Sequence, residues 1–173
     1  MEKFMKSKHI APIYGNKENT CYTKENIGDE KVWKSRNAAV CVALQVGDKI
    51  LVVKRGKELS HSGKYCLPCG YLDWDENCSQ AASRELYEEA GVHVSESAFD
   101  KVGAYEVVSD PKKDELQNIT FHYHIKLNKL PSVKVDGKEA TEYAWVTNDD
   151  LCLDFAFNHK KRIEKIIPQF SSF

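Results

Sequence analysis

Residues 70–92 read GYLDWDENCSQAASRELYEEAGV, and in them Gly70, Glu76, Arg84, Glu85, Glu88, Glu89 and Gly91 stand at the spacing G-x5-E-x7-R-E-U-x-E-E-x-G-U, with Leu86 and Val92 at the aliphatic positions U. At background frequencies of roughly 5 to 7 per cent per residue, seven specified letters match at a given start with odds on the order of 10⁻⁹. Chance is a poor explanation, so the positions call for physical reasons.

Asn77 and Gln80 form an N-cap and N3 pair ahead of a run of helix formers, and Gly91 can end the run in the left-handed conformation. A helix from about residue 77 to residue 90 is expected. On it Glu85, Glu88 and Glu89 fall at i, i+3 and i+4, which places three carboxylates on one face, while Cys78, Ala81, Ala82 and Leu86 supply the buried stripe. Like charges at that spacing disfavour a helix by a few tenths of a kcal/mol per pair unless a cation sits among them. Oxygen-only ligands point to Mg²⁺ or Mn²⁺ over zinc. The plainer alternative is a solvated acidic face with Arg84 bridging Glu88. Against it stands the upstream half of the spacing, where Gly70 and a bulky loop containing Trp74 lead to Glu76 and return a fourth carboxylate to the helix.

With 173 residues and 42% apolar content, the chain is long enough for one domain with a real core. Net charge is −1 with both signs mixed throughout, so no basic patch announces a nucleic-acid partner. A small nucleotide remains allowed, because a metal can neutralise phosphate locally. No apolar run of about 18 residues and no apolar signal core behind the basic start is found, so neither a membrane span nor export is expected, and a cytoplasmic location is. Six cysteines, at 21, 41, 66, 69, 78 and 152, mostly sit in apolar patterns where a reduced thiol packs as a small hydrophobe. Cys66-Leu-Pro-Cys69 could be redox active or half of a zinc site, but the sequence shows no second C-x-x-C or H-x3-H partner. The motif is better explained as the last strand entering the loop. Asn118-Ile-Thr120 matches a glycosylation sequon that has no meaning in a cytosolic chain.

Residues 1–36 are polar and poorly periodic and read as an N-terminal extension, with the domain running over 37–173. From Asn37, AAVCVALQV, the turn Gly47-Asp48-Lys49 and ILVVKR form a β-hairpin. The short strand YCLPC, the loop and the acidic helix follow. KVGAYEVVS and LQNITFHYHIKL read as strands around the turn DPKKDE, and Glu142 to Thr147 as another. The tail is expected to be a helix capped by Asn148, with Phe155, Ile163, Ile166 and Ile167 on one face before Pro168.

The spacing of residues 70–92 makes the chain resemble the Nudix hydrolases, and the likeness extends from about residue 37 through Lys54-Arg55, Trp145-Val146 and the tail to the bacterial MutT-type, ADP-ribose pyrophosphatase-like members. The resemblance implies an α/β fold, an α/β/α sandwich around a mixed β-sheet. It implies divalent-metal-dependent hydrolysis of a pyrophosphate bond in a nucleoside diphosphate linked to another moiety. Carried over, Glu85, Glu88 and Glu89 would be metal ligands, supported by Glu76 and by the backbone carbonyl of Cys69, a position commonly held by glycine. Arg84 would hold the glutamates and, with Glu85 and Glu88, make up the catalytic set. Gly70 is assigned to the substrate side. Arg55 either contacts substrate phosphate, as the matching position often does in relatives, or is a strand-end charge in water. The general base is Glu85 or a later carboxylate, Glu139 or Glu142. The stretch from Ser109 to Asp114 resembles a loop of ADP-ribose pyrophosphatase-like members, which favours ADP-ribose or another NDP-sugar. His122 and His124 are taken as structural.

Three other functions compete. A nucleoside triphosphate pyrophosphohydrolase would share all of this chemistry. A non-enzymatic nucleotide-metabolite sensor of the same fold tends to lose the acids and needs an extra domain, whereas here every acid is present and about thirty residues follow Trp145, too few for a second DNA-binding core. RNA-end hydrolysis would call for a basic surface run that is not found. The partner expected is thus a small-molecule nucleotide, with no nucleic acid and no membrane, and with a homodimer open.

Overall fold

The computed structural model describes residues 20–22, 31–33, 37–108 and 118–166. The chain divides into two compact units, Met1–Asn37 and Ala38–Phe173. In the first, β1 (Thr20–Tyr22) pairs antiparallel with β2 (Lys31–Trp33). Strands of three residues are too short to leave a period of two in the sequence, which is why the extension reads as patternless.

The second unit is built on β3 (Asn37–Val46) and β4 (Lys49–Arg55), antiparallel with Val46 opposite Lys49. Gly47 supplies the positive φ, 60°, that a tight hairpin turn needs. Both strands are continuous apolar runs because both of their faces are covered. Val40, Val42, Leu44, Leu51 and Val53 point into one core cluster, and Cys41, Ala43, Ile50 and Val52 into another. The first cluster is closed by Ala81, Ala82 and Leu86 of α1 (Cys78–Ala90) and Phe99 of α2 (Glu96–Val102), the second by Ile163 and Ile166 of α3 (His159–Ile166). Helices on opposite faces of one sheet make the expected α/β/α sandwich.

The sheet has seven strands. β4 is flanked by β5 (Tyr65–Cys66) and by β9 (Ala140–Val146), β3 by β6 (Cys69–Tyr71) and by β8 (Asn118–Leu127), and β7 (Tyr105–Val108) pairs with β8. A parallel bridge joins Tyr65 to Phe155. No helix among the described residues is long and apolar enough to cross a membrane.

Three elements differ from expectation. YCLPC is two strands, because Pro68 has no N–H for a ladder. The chain leaves β4 after Cys66 and joins β3 at Cys69, while the Pro68 carbonyl accepts from Val42 N–H at 2.8 Å. Lys101 and Val102 close α2 instead of opening a strand, and this seven-residue helix buries Phe99 alone, too little to show a helical period. The tail is not one helix. Thr147, not Asn148, caps a 3₁₀ turn over Asn148–Cys152 in a box with Asp150. Extended chain follows, with Tyr65 N–H donating to Asp154 O and Ala156 N–H to Tyr65 O, both at 2.8 Å. Leu153 and Phe155 thus alternate into the core with period two, and α3 starts only after Phe157. Ile167 and the DPKKDE turn lie outside the described residues.

The helix that carries the acids forms as expected. Asn77 accepts from Gln80 N–H, Gln80 accepts in return from Asn77 N–H, and Gly91 caps the far end at φ 66°. Replacing Asn77 by Ala is expected to cost about 1 kcal/mol, seen as a lower urea midpoint at unchanged m-value. An unchanged midpoint would show that α1 does not depend on this cap.

Candidate active site

The loop between β6 and α1 is organised by Arg84. Its Nη2 donates to Tyr71 O and to Glu76 Oε2, and its Nε donates to Glu76 Oε1, each at 2.9 Å. Glu76 is held as a fork-to-fork pair, the strongest geometry open to a guanidinium and a carboxylate. Glu76 Oε2 also accepts from Asp73 N–H at 3.0 Å, which folds the loop back on itself. From the same guanidinium, Nη1 donates to Glu85 Oε1 at 2.8 Å and to Glu88 Oε2 at 2.9 Å. One cation thus gathers three carboxylates.

The acids differ in their surroundings. Glu85 is 6% and Glu89 3% exposed, whereas Glu88 faces solvent. Glu89 lies beyond the hydrogen bonds of Arg84 and accepts from Cys69 N–H at 3.0 Å. Burial pushes its carboxyl well above the usual range, with nearby Cys66 and Glu85 adding to the effect. Burial also raises Glu85, although Arg84 opposes the shift. The hydrogen bonds from Arg84 hold Glu76 low.

Gly70 explains how Glu85 fits. A Cβ there would lie 2.0 Å from Glu85 Oε1, so the missing side chain makes room for a carboxylate pressed against β6. Two buried acids one helical turn apart with so little positive charge are costly unless a cation joins them. The oxygen donors of Glu85, Glu88, Glu89 and the Cys69 carbonyl suit a hard dication.

Other expected residues fall around this centre. Glu139 is near enough for its charge to raise Glu85. Glu142 instead pairs with Lys54 at 3.1 Å and accepts from the Tyr65 hydroxyl at 3.4 Å. Arg55 donates from Nε to Ser60 O at 2.7 Å and stacks on Phe157 with 5.0 Å from its guanidinium carbon to the ring centre. It anchors the 56–64 loop while its charge still reaches Glu89.

His159 escaped sequence reasoning. It is buried, its Nδ1 accepts from Leu67 N–H at 3.0 Å, and burial keeps it neutral by lowering its pKa. No sequence signal tied it to Leu67, 92 positions away. His122 is buried too, and burial, with Arg162 and His159 close by, brings its pKa to about 2. Burial thus favours the uncharged ring.

Comparison with known proteins bears on the family and the fold. The NUDIX domain model matches residues 34–170. A putative 8-oxo-dGTP diphosphatase of Bacillus subtilis (strain 168) is 31% identical over 125 residues, covering 72% of this chain and 75% of the relative. Among solved structures, the NUDIX domain of Shewanella oneidensis NrtR complexed with ADP ribose superposes with TM-score 0.66 at 20% identity, over 80% of this chain and 91% of that one. The bifunctional NMN adenylyltransferase/ADP ribose pyrophosphatase from Francisella tularensis, complexed with AMP and Mn ion, gives TM-score 0.63 at 22% identity over 79% of this chain. The chain spans only 42% of that enzyme's length. At these identities the structures establish the fold alone.

Fold and family together define a pyrophosphohydrolase that acts on nucleotides with the help of a divalent metal. The chain belongs to the NUDIX family.

The raised pKa of Glu89 has a stability consequence. A carboxyl whose folded pKa lies above its unfolded one stabilises most below the unfolded value, and that stability is lost as pH rises through the folded value. Glu89→Gln keeps an oxygen for Cys69 N–H and cannot ionise. At pH 8 without metal it is expected to melt above the parent by roughly 2–4 °C per kcal/mol recovered, and to show a flatter fall of Tm with pH. A variant that melts lower, or follows the parent's pH dependence, would contradict the burial of an ionised Glu89.

Proposed function

We propose that the chain hydrolyses the pyrophosphate bond of a nucleoside diphosphate linked to another moiety, with ADP-ribose or another NDP-sugar as the preferred substrate. Mg²⁺ or Mn²⁺ would be held by Glu85, Glu88 and Glu89, with Glu76 in support and the carbonyl of Cys69 as a further donor. The observation that carries this is the pair of buried carboxylates, Glu85 and Glu89, stacked one helical turn apart against β6. Held by these residues, a dication would supply polarisation of a phosphate oxygen and a lower pKa for a water.

The protein's own part is positioning and proton transfer. Arg84 orients Glu76, Glu85 and Glu88. Glu139 is the general base in this proposal, since Glu142 is engaged by Lys54 and Tyr65. Gly56 favours the assignment. Its N–H donates to Glu139 O at 2.8 Å, and a Cβ at Gly56 would stand 1.7 Å from Lys138 O, so glycine lets the start of β9 approach the end of β4. The Glu139 carboxylate then takes the proton of the attacking water. Arg55 and Gly70 line the substrate side. Five described cysteines are free thiols, which supports a reducing, cytoplasmic setting.

A nucleoside triphosphate is the second reading, favoured by the name of the 31% identical relative. Side-by-side kcat/KM values for ADP-ribose, other NDP-sugars and triphosphates including 8-oxo-dGTP separate the two. A clear preference for triphosphates with release of inorganic pyrophosphate would overturn the NDP-sugar choice and leave the site chemistry standing.

Glu88→Gln is expected to lower kcat by roughly 10³-fold, because a charged donor is lost from the metal. Wild-type turnover of this variant at saturating Mg²⁺ would remove Glu88 from the site. Glu139→Gln should lower kcat by about 10²-fold or more, while Glu142→Gln leaves kcat close to the parent value. The reverse pattern would transfer the base to Glu142.

A further inference from the structure

A second cluster of donors lies beside β6, on side chains that the hydrolytic chemistry does not use. Cys66, Cys69 and His159 come from β5, β6 and the first turn of α3, and one ligand atom from each lies within 4.8 Å of the other two. Cys41 of β3 adjoins them, with its Sγ 3.8 Å from His159 Nε2. Three of the chain's six cysteines therefore meet at one buried histidine. A core that needed only apolar volume would be served by valine or leucine, with no imidazole to satisfy.

We propose that Cys66, Cys69 and His159 form a binding site for a borderline-soft metal ion of the Zn²⁺ class. Around tetrahedral zinc, sulfur and nitrogen ligands stand about 3.5–3.8 Å apart, given Zn–S near 2.3 Å and Zn–N near 2.0 Å. A spacing within 4.8 Å leaves about 1 Å for the side chains to close. The C-x-x-C loop suits such a site, because two sulfurs from one tight turn converge on a single point.

The hydrogen bonds of His159 prepare it as a ligand. Because Nδ1 accepts from Leu67 N–H, the neutral ring carries its proton on Nε2, toward Cys41 Sγ. Nδ1 is then the nitrogen with a lone pair, and a metal there competes with a single amide. The Nε2–H contact to Cys41 plays the part that an outer partner plays for a metal-bound histidine, fixing tautomer and ring orientation. Thiolate and imidazole donors also distinguish this site from the neighbouring carboxylates, which favour hard ions.

Titration of the reduced full-length protein with Co²⁺, a spectroscopic substitute for Zn²⁺, tests the proposal. Expected is one equivalent that gives thiolate-to-cobalt charge-transfer absorption in the near ultraviolet, displaced by one equivalent of Zn²⁺. The band should persist in Glu85→Gln and in Cys152→Ser, and vanish in Cys66→Ser and His159→Gln. Wild-type protein that binds Co²⁺ without this band overturns the proposal, and that reading needs no variant to fold. So does a band that survives Cys66→Ser, or a Cys66–Cys69 disulfide that forms equally fast with and without Zn²⁺.

Discussion

The guanidinium of Arg84 is the interaction around which the rest of the site is arranged. It bonds Glu76, Glu85 and Glu88 and closes the loop against the carbonyl of Tyr71. Charge-assisted bonds of this kind are about twice as strong as neutral ones. Removing the arginine would leave Glu85 buried and unpaired, the situation in which a lost partner is most destabilising. Its reach also has a limit. Glu89 falls outside it and rests on one backbone amide, so its ionised form is held at a cost that burial sets.

That cost links fold to function. The sheet is covered on both sides, so α1 must lie flat on β3 and β4 with Ala81, Ala82 and Leu86 inward. Once this face is buried, the helical period brings Glu85 and Glu89 to the edge of the core beside β6. Gly70 allows the backbone to come close enough for Glu85, and Cys69 N–H meets Glu89. Packing therefore forces the carboxylates into a low-dielectric position, where a dication would interact with them more strongly than with the same acids in water. Beside β6, the Cys69 sulfur also lies close to Cys66 and His159.

Much of this was legible in the sequence because it is local. The capping pair Asn77 and Gln80, the stop at Gly91 and the i, i+3, i+4 acids all lie within one helix, and the hairpin around Gly47 is equally local. What was not legible depends on contacts far apart in the chain. Nothing near residue 159 marks it as the partner of Leu67, and the engagement of Glu142 by Lys54 follows from the pairing of β9 with β4. The tail departs from one helix because Phe155, Ile163 and Ile166 fit a helical stripe on paper, while Phe155 belongs to an extended segment held by Tyr65.

Calorimetric titration of Mn²⁺ into the metal-free protein, repeated near pH 6 in buffers of different ionisation enthalpy, counts the protons released on binding. Carboxyls whose pKa is raised by burial keep their protons to higher pH than free ones and must lose them to a metal. Net proton release that shrinks as the pH is raised, and shrinks also in Glu89→Gln, is the expected result. Binding with no proton release at any pH, or release unchanged in Glu89→Gln, would contradict a dication site built on buried carboxylates.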